Sequence, residues 1–364
     1  MGFRAFFLGG AAFSVITLLL WVLLYRGVIS FQPLGGGYWW HIHEIIFGFG
    51  CAIIAGFLLT AVQTWTGQPG LIFPDILGAT LTTLLDLAFL PAVALMLAAP
   101  ILAIKQYRNL FFVPLLLTLM IANTEMHASI FYPNTLSVQY AGYAGVMLIT
   151  LLISVMAGRV VPMFTANGTK TAKVKPLPWL DKLTNGSIAL ITIALLLHPV
   201  IGINHTYIGA MLIFAGIFQV IRWLRWRPWI TFTVPLLWSL HLGIKALAFG
   251  LIFLGLSYLI PEIPTNHSWH LLTVGGIGGI ILAMISRVSL GHTGRALQAP
   301  TLMPLAFASL VLASVIRSFG PWLMPEKTLL FIDISALLWI ASFALFVFFY
   351  GPMLLKPRID GRSG

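Results

Sequence analysis

The chain has 364 residues; 59% are hydrophobic, only 8% are charged, and the formal net charge is +11. An ordinary soluble domain is roughly 45–50% apolar and about 25% charged, so this composition excludes a soluble globular enzyme, a disordered chain and a nucleic-acid-binding domain. At about 20 apolar residues per membrane span, the length holds about twelve spans and no large soluble domain, so residues 1–364 read as a single integral membrane domain.

In chain order, apolar runs predict helices at about 5–25, 41–63, 84–104, 109–127, 138–157, 187–203, 205–222, 236–260, 268–286, 302–319 and 331–355. These are eleven clear segments. The stretch 68–83 (QPGLIFPDILGATLTT) is apolar but short and carries Pro74 and Asp75, so it reads as a short or broken twelfth crossing, a re-entrant piece or a surface loop. Arg4 precedes a long apolar run that has no small-residue cleavage site followed by polar sequence, so the first segment reads as a retained span.

Basic residues orient the second half. Arg159, Lys170, Lys173, Lys175 and Lys182 fill the loop 158–186, and Arg222, Arg225 and Arg227 fill the loop 222–235. Arg287 and Arg295 follow the span ending near 286, and Lys356, Arg358 and Arg362 close the tail. These regions are expected on the cytoplasmic side. In the first half, eleven spans would put His41 and His43 on that side, whereas twelve would turn them outward. An internal repeat favours twelve. Arg159-Val160-Val161-Pro162-Met163-Phe164-Thr165 and Arg287-Val288-Ser289-Leu290-Gly291-His292-Thr293 share the pattern R-V-x-x-x-aromatic-T after an apolar helix. Ala61-Val62-Gln63-Thr64-Trp65-Thr66-Gly67 is similar and one residue shorter. The three ends then belong to spans 2, 6 and 10.

One cysteine, Cys51, excludes an internal disulfide and a cysteine-ligated metal centre, whereas nine histidines stand against nine acidic residues. An ionisable group in a span is a functional-site hypothesis by default. His41 and His43 open span 2 in W-W-H-I-H-E; at i and i+2 they point about 200° apart on a helix. His41 and Glu44, at i and i+3, face together, and a carboxylate beside an imidazole fixes its tautomer. The alternative is an interfacial belt with Trp39 and Trp40. His267 and His270 open span 10, followed by a glycine-rich face that suits either close helix packing or a flat macrocycle. A histidine of span 2 and His270 of span 10 would ligate one heme iron from both faces. His127 ends its span on the outer side, His198 and His205 flank an outer turn, and His241 and His292 lie in the cytoplasmic half as candidates for a second centre. Arg159 and Arg287 are candidate partners for heme propionates, set against a plain role as topology signals.

At these residues the sequence resembles the NnrS family of bacterial membrane proteins. The matching pieces include Trp40-His41-Ile42-His43-Glu44, Gly158-Arg159 with Pro162 and Phe164-Thr165, Leu240-His241, and His270-Leu271-Leu272-Thr273-Val274-Gly275 running on to Arg287-Val288-Ser289-Leu290-Gly291-His292-Thr293-Gly294-Arg295. The resemblance implies a polytopic protein of the bacterial inner membrane, with about twelve helices, that carries heme and copper and protects against nitric oxide. It carries functional weight onto His41, His43, Glu44, His127, His241, His270 and His292. The four-helix period is similar to the three arcs of four helices in heme–copper oxidases, although the chain lacks their adjacent His-His copper pair.

The expectation is therefore an all-α membrane redox protein with heme b and copper that binds or turns over nitric oxide, an oxidoreductase drawing on an electron donor the sequence does not identify. Its partners are the lipid bilayer, heme and nitric oxide, with no nucleic acid. The alternatives are a transporter of a metal or metal–nitrosyl species and a nitric oxide sensor without turnover.

Overall fold

The computed structural model describes residues 2–66 and 79–361. Among the described residues there is no strand, and eleven helical spans are long and apolar enough to cross a membrane. They are α1 (Phe3–Tyr25), α2 (Gly36–Val62), α3 (Thr83–Ala103), α4 (Tyr107–Phe131), α5 (Val138–Thr169), α6 (Pro178–Ile201), α7 (His205–Arg225), α8 (Pro235–Leu259), α9 (Thr265–His292), α10 (Met303–Leu323) and α11 (Pro325–Leu354).

Consecutive spans pack side by side, and α11 packs back on α1 to close the ring. Three spans lie inside it. The most apolar stretches of α2, α5 and α9 are 72%, 78% and 72% buried, against 28% for α1 and α3 and 56% for α8. These are the spans whose ends carry the repeated motif. Three spans separate α5 from α9, and three more (α10, α11, α1) separate α9 from α2 around the ring. Between α2 and α5 stand two described spans and the 68–83 stretch, of which residues 68–78 lie outside the described residues.

Contacts between span ends give the directions. The Phe3 amide donates to Thr60 Oγ1 at 3.0 Å, and Trp21 packs on the His41 ring at 4.2 Å, so α1 and α2 are antiparallel. Asp86 near the start of α3 meets His43 near the start of α2, so these two spans run parallel. Arg4 donates to the Leu354 carbonyl at 2.8 Å, which puts both chain ends on one face. That face also holds Arg159, Arg222 and Arg287, the cation-rich side expected to be cytoplasmic. His41 and His43 lie at the opposite face, the one expected to be outer.

Two helices outrun their apolar segments. α5 continues to Thr169 through Pro162, and α9 continues to His292, so the first R-V-x-x-x-aromatic-T motif lies on its helix and the second runs to the cap residue Thr293. Hydropathy marks only the lipid-depth part of a span, whereas backbone hydrogen bonding carries the helix on. At the other end, α2 and α9 each contain a stretch of wide π-helical turns, Glu44–Gly50 and Leu271–Gly278, directly after His43 and His270. Such turns are rare and concentrate at functional sites. The glycine run in α9 resolves as helix packing. A Cβ on Gly276 would stand 2.9 Å from the Leu247 Cα of α8, and one on Gly279 would stand 3.6 Å from the Gly243 Cα.

Candidate metal centre

His43 is buried at the outer end of α2, and the first turns of the helix aim its ring away from His41. Its Nε2 lies 3.2 Å from Asp86 Oδ2 of α3, and His127 Nε2 of α4 lies 3.0 Å from the same oxygen. The three ligand-type atoms lie within 4.8 Å of one another. Ligand atoms held about 2.0–2.2 Å from one metal ion stand about 3.0–3.5 Å apart at tetrahedral or octahedral angles, which the two histidine–aspartate distances match. Two imidazoles and one carboxylate form a donor set suited to copper, iron or zinc.

The surroundings hold the group in place. Asn123, one turn before His127, donates from Nδ2 to Asp86 Oδ2 at 2.7 Å. Glu44 Oε1 stands 3.3 Å from His43 Nδ1, so a proton on Nδ1 leaves the Nε2 lone pair for a metal. The Trp39 indole stacks on His43 at 4.6 Å with planes 10° apart, meets His127 edge-on at 5.1 Å, and donates from Nε1 to the Met126 carbonyl at 2.8 Å. Glu44 thus pairs with His43 rather than with His41, whose ring packs on Trp21 and faces a separate cavity.

Asp86 escaped the sequence reading. The signal was present: Asp86 is a lone acid inside the apolar run L-L-D-L-A-F-L, the situation in which an intramembrane charge implies a partner.

His41 faces a different space. It lines a cavity of about 350 Å³ together with His267 and His270 of α9 and Arg317 of α10. His270 Nδ1 lies 3.0 Å from the Asn266 carbonyl, which leaves Nε2 for another partner. Arg317 donates to His267 Nδ1 at 2.6 Å. Arg317 is a second residue the sequence reading missed, a single cation in the apolar span Met303–Leu323.

The remaining candidates lie elsewhere. At the cation-rich face, His241 Nε2 is 2.8 Å from Thr165 Oγ1 of the α5 motif. His292 packs against Phe3, and its carbonyl accepts from Arg358. These two histidines are not brought into one ligand group among the described residues. Arg287 lies over the Phe164 ring at 4.2 Å, while Arg159 lies over Phe112 and donates to Asn109 Oδ1 at 2.9 Å. Both arginines stand at the face opposite the His41–His270 cavity. His198 and His205 stack with Tyr140 at the outer turn.

The profile of the NnrS protein family matches residues 1–358. The chain belongs to the NnrS family. No curated protein and no solved structure matches it. Within this NnrS protein, the W-H-I-H-E segment therefore feeds two sites at once, His41 into the cavity and His43 into the metal-type group.

Proposed function

We propose that this NnrS protein is a heme- and copper-carrying redox protein of the bacterial inner membrane that binds or turns over nitric oxide and protects against nitrosative stress. The observation that carries this reading is the division of α2: two residues apart, His41 and His43 enter two different histidine sites at the outer face.

The cavity suits heme b by its donors. His41 on α2 and His270 on α9 both line it with their imidazoles, and the hydrogen bond of His270 runs through Nδ1 to the Asn266 carbonyl, which leaves Nε2 for a ligand. A volume of about 350 Å³ falls within the range of roughly 300–1,000 Å³ for ligand pockets. Trp339 Nε1, buried in the wall, also lacks a partner. Arg317 is the cation placed to meet a propionate here, since Arg159 and Arg287 stand at the other face. The His43–Asp86–His127 group suits copper, with Glu44 fixing the tautomer of His43.

When bound, heme and copper would supply one-electron chemistry toward nitric oxide. The chain's own residues bind and orient. Trp21 packs on His41 and Trp39 on His43, so each imidazole has little rotational freedom. Burial of His43 and His127 keeps bulk water from the metal-type group. A general base is not assigned.

The test compares His41→Ala with His43→Ala in purified protein by optical spectroscopy and metal analysis. His41→Ala is expected to lose the heme absorption and keep the copper, and His43→Ala to do the reverse. A wild-type protein without a Soret band, iron or copper would refute the reading. Consumption of nitric oxide with an electron donor would separate turnover from sensing.

A further inference from the structure

A second large cavity lies at the cation-rich face, away from both histidine sites. Its volume is about 680 Å³, and Arg108, Arg159, Lys173, Lys175, Arg222 and Arg225 line it. Asp181 is the one carboxylate on its wall among the described residues. That carboxylate is already engaged, because Arg222 Nε holds Asp181 Oδ1 at 2.7 Å. Arg222 is buried, and its Nη1 also donates to Ser154 Oγ at 2.8 Å. It reaches them by crossing α5 at Gly158, where a Cβ would collide with its guanidinium.

The other five cations have no carboxylate among the described residues of the wall. Arg159 is half-buried, and its partners are the neutral Asn109 and the face of Phe112. The positive-inside rule accounts for basic residues in cytoplasmic loops. It does not account for arginines on α5 and α7 converging with loop lysines on one concave surface. Like charges around a concave, low-dielectric wall focus a positive potential into the space they enclose. The inner wall is apolar, with Phe57, Val155 and Met156.

We propose that this cavity binds a phosphate-bearing ligand, with Arg159 and Arg225 as its principal contacts and Arg222 held in place by Asp181 as part of the wall. Guanidinium forks and mobile ammonium groups together suit the several oxygens of a phosphate or diphosphate. The phosphate belongs either to a soluble molecule entering from the cytoplasmic side or to the headgroup of an acidic lipid, and the experiment separates the two.

The purified holoprotein in phosphatidylcholine nanodiscs is titrated with sodium pyrophosphate by calorimetry. In a second arm, protein incubated with mixed phosphatidylglycerol and phosphatidylcholine vesicles is extracted, and retained lipid is counted by native mass spectrometry. Saturable pyrophosphate binding that Arg225→Gln and Arg159→Gln each weaken tenfold or more, with Lys356→Gln within twofold of wild type, supports a soluble ligand. Selective phosphatidylglycerol retention lost in the same two variants supports a lipid headgroup. Arg225 is exposed, so its variant stands if Arg159→Gln fails to fold, which size-exclusion chromatography will show. Absence of both kinds of binding, or equal loss in Lys356→Gln, overturns the proposal.

Discussion

Asp86 shows how one side chain organises a site. Its Oδ2 faces His43, His127 and Asn123 within 3.2 Å, so side chains of α2 and α4 converge on one oxygen of α3. Asp86→Asn replaces the anionic donor by a neutral amide while keeping its size. Stoichiometric metal is expected to be lost, with heme content unchanged, as metal analysis and the optical spectrum will show. Glu44 acts through His43, and groups in that position typically change metal affinity about 10–100-fold. Glu44→Gln is therefore expected to weaken metal binding by about that factor without abolishing it; a metal competition titration that finds wild-type affinity would remove Glu44 from the centre.

At the scale of elements, α2 and α9 are built alike. Each begins at the outer face with histidines, widens into π-helical turns, and ends at the cation-rich face within a motif of the same type. Their interior depends on close approach. Gly276 meets the backbone of Leu247, which cannot move aside as a side-chain tip does. Gly276→Ala is expected to destabilise the protein by about 1–3 kcal/mol, the usual range for overpacking. Gly186 on α6 faces open space, so Gly186→Ala is expected to be neutral or stabilising by up to about 1 kcal/mol. Thermal unfolding of both variants in one detergent checks the pair, and equal stability would contradict the packing assigned to α8 and α9. The motif arginines join the elements differently. Arg287 of α9 lies over Phe164, the aromatic of the equivalent motif on α5, so one repeat rests on the next.

For the whole molecule, the three most buried spans and the eight other described ones define two faces with opposite chemistry. Histidine sites open toward one face and cations toward the other. The arrangement puts the outer ends of α2 and α3 on the face opposite the cations, so charge in the second half of the chain gives the expected sidedness of the first. Cys51 is buried and is the single cysteine, so a Cys51→Ala background accepts reporter cysteines. Asn134→Cys, in the turn after α4, is expected to react with a membrane-impermeant thiol reagent on right-side-out vesicles. Lys175→Cys is expected to react only on inside-out vesicles. The reverse pattern would invert the topology.

Much of this was legible in the sequence. Composition alone determined an all-helical membrane protein, because lipid leaves backbone polar groups no partner outside the helix or a closed barrel. Spacing determined that His41 and His43 point apart, since a regular helix turns about 100° per residue. The repeated motif marked the three spans that prove central. Asp86 and Arg317 stayed hidden because each is a single charge whose meaning lies in residues 43 and 267, far away in the chain. The partner of His43 was settled by packing, as was the place of His41 and His270 along one cavity. The glycine run was ambiguous between packing and a ligand until α8 was seen against it. Local pattern reports on neighbours within a turn or two, whereas a ligand group or a cavity is assembled across spans by helix packing. The metal-type group, the histidine cavity and the basic cavity were therefore decided by the tertiary structure.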